Sequence, residues 1–196
     1  MKKTNIFLSL FMVFLIVFGI TSPIINSCES ISNKIFRLHI MANSDSSEDQ
    51  ALKLKVRDCI LAETANIFNG KTIDDNIKIA ENNIDYITNI CNDCIKNEGY
   101  DYSVNVNIVK EFFETRVYDD FILPAGIYNS LKIEIGEANG HNWWCIVFPA
   151  VCISACSQSM NDYLTQEEMQ IIESGYTPKF KVIEIYEKIK NRINSK

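Results

Sequence analysis

The sequence predicts an α+β domain: an antiparallel sheet, two long helices in the first half and an amphipathic helix at the C-terminus. Three observations carry this. Apolar and polar residues alternate through Phe36-Arg37-Leu38-His39-Ile40-Met41, and again through Tyr102 to Ile108 and Leu131 to Ile135. That is the period of strands with one face on a core. Between the first and second of these, apolar residues recur every three or four positions, as on a helix. Helical and strand-like stretches thus fall in separate runs instead of alternating as in a parallel βαβ chain.

The elements follow in order. Lys2 and Lys3 precede an apolar run, Ile6 to Ile20, broken only by Ser9 and Gly19. Such a helix covers about 22 Å, short of a ~30 Å hydrocarbon core. Thr21, Ser22 and Pro23 interrupt its continuation to Ile25. Residues 1–30 therefore read as a signal peptide or a short membrane anchor, and residues 31–196 as a single domain. Ile25-Asn26-Ser27-Cys28 is a loose match to a lipoprotein cleavage box, which Asn26 fits poorly.

Phe36–Met41 is the first strand. In the turn Asn43-Ser44-Asp45-Ser46-Ser47, Ser47 with Gln50 or Asp45 with Glu48 can form a capping box for a helix to about Phe68. Asn69-Gly70 stops it, and a second helix spans about Ile73 to Asn97, ending at Gly99. Strands are expected at Tyr102–Ile108, at Phe113–Tyr118, and at Leu131–Ile135. The last of these is expected to turn at Ala138-Asn139-Gly140 and return as Trp143–Phe148, a hairpin with an Asn-Gly reversal that Pro149 ends. Thr165 and Glu168 cap a short helix to Ser174. The final helix carries Val182, Ile185, Ile189 and Ile193 on one face, with its lysines and arginine facing water.

Composition narrows the function. Hydrophobic residues make up 47% and charged residues 22%, which suits a packed domain and not a disordered one. The net charge of -6 gives no electrostatic case for nucleic acid. Among the seven cysteines, Cys91 and Cys94 form a Cys-x-x-Cys, but they lie on the apolar stripe Ile77, Ala80, Ile84, Ile87. Core packing is the better reading than redox chemistry. His39 and His141 are the only histidines, and no second ligand pair stands at metal spacing, so no metal and no cofactor is expected.

Two segments are richer in polar groups and large rings than folding requires. One is Arg37-Leu38-His39-Ile40-Met41-Ala42-Asn43-Ser44-Asp45-Ser46. The other is Leu123-Pro124-Ala125-Gly126-Ile127-Tyr128-Asn129-Ser130-Leu131, continuing through Gly136-Glu137-Ala138-Asn139-Gly140-His141-Asn142-Trp143-Trp144-Cys145 to Phe148-Pro149. Tryptophan is favoured at binding hot spots, and neighbouring strand residues face opposite sides, so Trp143 and Trp144 cannot share one core. The residues expected to meet a partner are Arg37, His39, Asn43, Asp45, His141, Asn142, Trp143 and Trp144, with His141 and one indole partly exposed. The segment Arg37 to Ser46 is expected beside the Gly136 to Trp144 turn. Asp45 and Asp49 read as caps at a helix N-terminus more readily than as an acid–base pair.

On these two blocks the chain resembles the stage II sporulation protein R family, over roughly Lys34 to Cys152, departing at Leu123 and Ala150, where Phe and Pro are expected. The resemblance implies an exported signal, made in the forespore and acting between the forespore and mother-cell membranes. Its partner would be a membrane-embedded aspartic protease of the mother cell, which then cuts the precursor of a sigma factor. The chain would be the activating ligand, touching membrane through its N-terminal segment, and not an enzyme. The contrasting reading is an exported cysteine-dependent hydrolase, with Cys145 as nucleophile and His39 or His141 as base. His141 and Cys145 are about 13 Å apart along a strand, which leaves His39 to reach across the sheet. In an oxidising compartment Cys145 could instead pair with Cys152.

Overall fold

The computed structural model describes residues 2–64, 67–118, 121–149, 160–175 and 178–194. The alternating segment at Phe36–Met41 forms β1, but its polar residues are as enclosed as its apolar ones: Arg37 and His39 are buried along with Leu38 and Ile40. The reason is position. β2 (Val104–Phe113), β5 (Gly126–Ile135) and β6 (Asn142–Phe148) join β1 in a sheet of order β2-β5-β1-β6, so β1 is internal.

This order corrects the expected hairpin. β5 and β6 are not neighbours; β1 lies between them, parallel to β5 (Leu38 opposite Leu131) and antiparallel to β6 (Leu38 opposite Cys145). Ala138-Asn139-Gly140 does reverse the chain, yet turn residues specify only that it reverses, not which strand it meets next. Here the connection passes over the end of β1, donating from Asn139 N to Asn43 O (3.1 Å) and from Gly140 N to Ala42 O (2.9 Å). β2 pairs antiparallel with β5 and runs on to Phe113, past the expected end at Ile108. Beyond it, β3 (Arg116–Val117) and β4 (Ile122–Leu123) make a small separate ribbon.

Helices cover both faces. On one side are α2 (Ser47–Thr64), α3 (Ile73–Asn82) and α4 (Ile84–Asn97), whose Leu52, Val56, Ile60, Ala80, Ile87, Cys91 and Ile95 pack on Leu38, Ile40, Leu131 and Ile133. The expected single helix from Ile73 to Asn97 is interrupted at Asn83, which leaves helical geometry and donates from Nδ2 to Ile79 O (2.7 Å). The apolar stripe stays in phase across the break, which is why periodicity reads through it. Phe68, the expected end of the preceding helix, lies outside helix and meets Phe36 edge-on, ring centroids 6.1 Å apart.

The opposite face is covered by the end of α1 (Lys2–Lys34) and by α5 (Gln166–Glu173) and α6 (Pro178–Asn194). Ile31, Ile35, Met169 and Ile172 meet Phe113, Leu123, Tyr128 and Ile146 there. α1 continues through Pro23, and Cys28 and Ile31 are already inside the core. Among the described residues, no helix is long and apolar enough to cross a membrane. α5 begins with the expected capping box of Thr165 and Glu168. α6 differs from expectation: Val182, Ile185, Ile189 and Ile193 face solvent, while Phe180, Ile183, Glu184 and Glu187 face inward. Periodicity identifies an amphipathic helix but not which of its faces is covered.

Candidate functional site

The link from β1 to α2 is held by its own side chains. Ser46 Oγ accepts from Asp49 N (3.1 Å), so Ser46 caps α2 in place of the expected Ser47 or Asp45. The buried Asp49 carboxylate accepts from Ser44 Oγ (2.5 Å) and Asn43 Nδ2 (2.8 Å), and these bonds hold it below the usual carboxylate range. Asn43 Oδ1 accepts from Glu137 N (3.0 Å), joining this link to the turn after β5.

Two glycines permit that junction. Gly136 takes φ +57°, and a Cβ on it would overlap the Asn43 side chain. At Gly140 a Cβ would overlap the Ser44 carbonyl. Beside Gly140, the His141 backbone N–H donates to Asp45 Oδ1 (2.6 Å), and its ring Nδ1 lies 2.6 Å from the same oxygen. The side-chain bond and then the backbone bond from His141 hold Asp45 low, although both residues are exposed. Lys53 Nζ, nearly enclosed, donates to His141 O (2.8 Å) and Gln50 Oε1 (2.6 Å), and burial pushes its ammonium down.

These groups rim an open polar hollow of about 360 Å³ lined by Asp45, Arg116, Asn139, Gly140, His141, Asn142 and Trp144. Its floor is stacked. The Trp144 ring lies on His39, centroids 3.7 Å apart, with Phe113 edge-on at 4.7 Å and the Arg116 guanidinium 5.7 Å from the indole. Beneath, His39 Nδ1 donates to Glu111 Oε1 (3.0 Å); burial raises the Glu111 carboxyl, but the bond to His39 brings it below its ordinary value. Deeper still, Arg37 lies 4.0 Å from the centre of the Phe113 ring and donates from Nη2 to Tyr118 Oη (2.8 Å). Among the described residues its Nε and Nη1, like His39 Nε2, have no hydrogen-bond partner.

Asp45, His141, Asn142 and Trp144 therefore meet at one surface, and His39 supports it from below. Asn43 stands behind the rim. Arg37 is wholly enclosed, so any part it plays is through Phe113 and Tyr118 and not by contact. Trp143 faces the other side of the sheet, under the Arg57 guanidinium at 4.5 Å. Both indoles are half-buried. Arg116 and Glu111 escaped sequence reasoning, since neither lies in a marked segment; pairing across the sheet and folding of the ribbon bring them in.

The geometry separates the elements of a cysteine hydrolase. In β1–β6 register His39 stands opposite Trp144 and Leu38 opposite Cys145, so His39 and Cys145 are on opposite faces. Cys145 is disulfide-bonded; Cys152, its expected partner, lies outside the described residues. Cys91 and Cys94 are core residues whose thiols burial pushes up to about 12, which disfavours the thiolate that redox chemistry uses.

Comparison with known proteins covers this region along with most of the folded body. The family model described as stage II sporulation protein R matches residues 32–158, which contain every residue of the hollow. A protein of Bacillus subtilis (strain 168), "Stage II sporulation protein R", is 34% identical over 123 residues, covering 62% of this chain and 55% of the relative. The matched stretch thus spans about half the relative's length. No solved structure matches the chain.

Proposed function

Since the chain belongs to the stage II sporulation protein R family, we propose that it is an exported sporulation signal that activates a membrane-embedded aspartic protease of the mother cell. It is delivered from the forespore by its N-terminal segment and acts in the space between the two membranes. The protease then processes a sigma factor precursor. The contact surface is the hollow at the β1–β6 end of the sheet.

One observation carries this reading: two segments far apart in sequence converge on an exposed Asp45–His141 pair beside a half-buried indole with a cation near its ring. Aromatic and arginine side chains beside a polar rim are the usual makings of a binding hot spot. The rim is tied together by hydrogen bonds made by Asn43, Asp45 and Lys53, which lowers the ordering a partner would have to impose on it.

Co-expression with the protease and a tagged sigma factor precursor in a host lacking all three tests it. Asp45→Ala, His141→Ala and Asn142→Ala alter exposed side chains and should melt like the parent. Processing should fall by an order of magnitude or more for at least one of them, as for a lost hot-spot contact of about 2 kcal/mol. Full processing by all three variants together would remove the hollow from consideration.

A further inference from the structure

α6 presents the wrong face to water for a helix that only packs on its own domain. Val182, Ile185, Tyr186, Ile189 and Ile193 form one stripe, each between 40% and 68% exposed. The carboxylates of the same helix, Glu184 and Glu187, are turned inward and buried. Lys181, Lys188 and Arg192 follow one edge of the stripe at helical spacing, and Lys190 follows the other. Lys181 and Lys188 reach back to Glu184 (3.3 and 3.1 Å), and Lys188 also to Glu114 (2.7 Å), which keeps their heads along that edge.

An apolar stripe between rows of lysine and arginine is the pattern of a helix lying in a membrane interface, its cations at the headgroups and its apolar side chains below them. The charge asymmetry agrees: α6 carries five basic and two acidic residues, although the chain as a whole is at -6. So does location. Lys190 is ion-paired with Glu29 of α1, and Phe180 and Ile183 share a pocket with Pro23, Ile24 and Ser27. α6 thus runs beside the base of the apolar N-terminal helix, whose Phe7, Leu8, Phe11 and Met12 are likewise exposed.

We propose that α6 lies in the headgroup layer of an anionic membrane, stripe inward, next to the point where α1 enters it. This rests on the reading of α1 as a membrane segment. α6 lies beyond the family match, which ends at residue 158.

The full chain is mixed with phosphatidylcholine vesicles or with vesicles also containing phosphatidylglycerol. Sedimentation reads α1, and amide hydrogen exchange over residues 182–193 reads α6. The parent is expected to sediment with both, while α6 exchange slows roughly tenfold or more only on the anionic vesicles. The combined variant Ile185→Ser, Ile189→Ser, Ile193→Ser should sediment equally and lose that protection. Sedimentation without α6 protection on anionic vesicles overturns the proposal while leaving the reading of α1 standing. Failure to sediment with phosphatidylcholine removes that reading instead, and α6 protection on the anionic vesicles then decides α6 alone. Protection that appears without vesicles and grows with protein concentration means a second copy covers the stripe, and also overturns it.

Discussion

Asp45 and Asp49 are close in sequence and of one type, yet the fold gives them opposite duties. Asp49 is enclosed and saturated by Ser44 and Asn43, whereas Asp45 is exposed and meets His141. Asp49→Ala strands two donors in the β1–α2 link and should cost about 2–3 kcal/mol in denaturant unfolding. Asp45→Ala should leave the midpoint where it was. The Asp49 carboxylate is held below its unfolded value, so its stabilisation is present above about pH 4 and lost as pH falls through the folded value. Asp49→Asn should therefore unfold with a shallower acid limb than the parent. Sequence alone marks both residues as helix caps because Asp at a helix N-terminus is read that way, whether before the first turn like Asp45 or within it like Asp49. The actual cap, Ser46, differs only by which hydroxyl the turn aims at the Asp49 amide.

Local signals proved sound for elements that close on themselves and weak for those that do not. The Thr165–Glu168 box, the stop at Gly99 and the strand period of β1 all act within a few residues, and all were legible, although the burial of both faces of β1 was not. The place of β1 between β5 and β6 depends on partners at the far end of the domain, and no pattern within Phe36–Met41 encodes it. The hollow was legible by half: its histidine, indole and rim carboxylate stood in marked segments, but Arg116 and the Glu111 support did not. α5 offers a test at this scale. Glu168 is a cap and also the partner of Lys34 (2.7 Å) and Ser30 (2.6 Å) on α1. Burial raises its carboxyl, but the bonds from Lys34 and Ser30 outweigh this and hold it low. The docking of α5 on α1 should thus be firm above about pH 4.3 and weaken as pH falls below it. Glu168→Gln should lower the melting temperature at pH 7, by about 1–3 kcal/mol of lost interaction, and narrow the gap to the parent near pH 3.

At the scale of the whole molecule, the apolar N-terminal segment and the folded body share α1. Among the α1 residues whose side chains are described, the fully buried ones start at Cys28, so a chain lacking residues 1–25 keeps all of those. Such a truncation is expected to melt like the full chain, remain in the cytoplasm on fractionation, and fail to trigger sigma factor processing in a sporulating cell. Processing by a truncated chain that stays inside would refute delivery by the leader. The internal position of β1 has a consequence for timing. A ribosome makes this strand early, but its neighbours Gly126–Ile135 and Asn142–Phe148 come late, so β1 waits unpaired for about half of the time the chain is being made. The same order brings Asp45 and His141 together only after β6 exists. A copy terminated before His141 carries only the Asp45 half of the hollow. On the proposed reading, a chain can signal only once His141 has been made and has met Asp45.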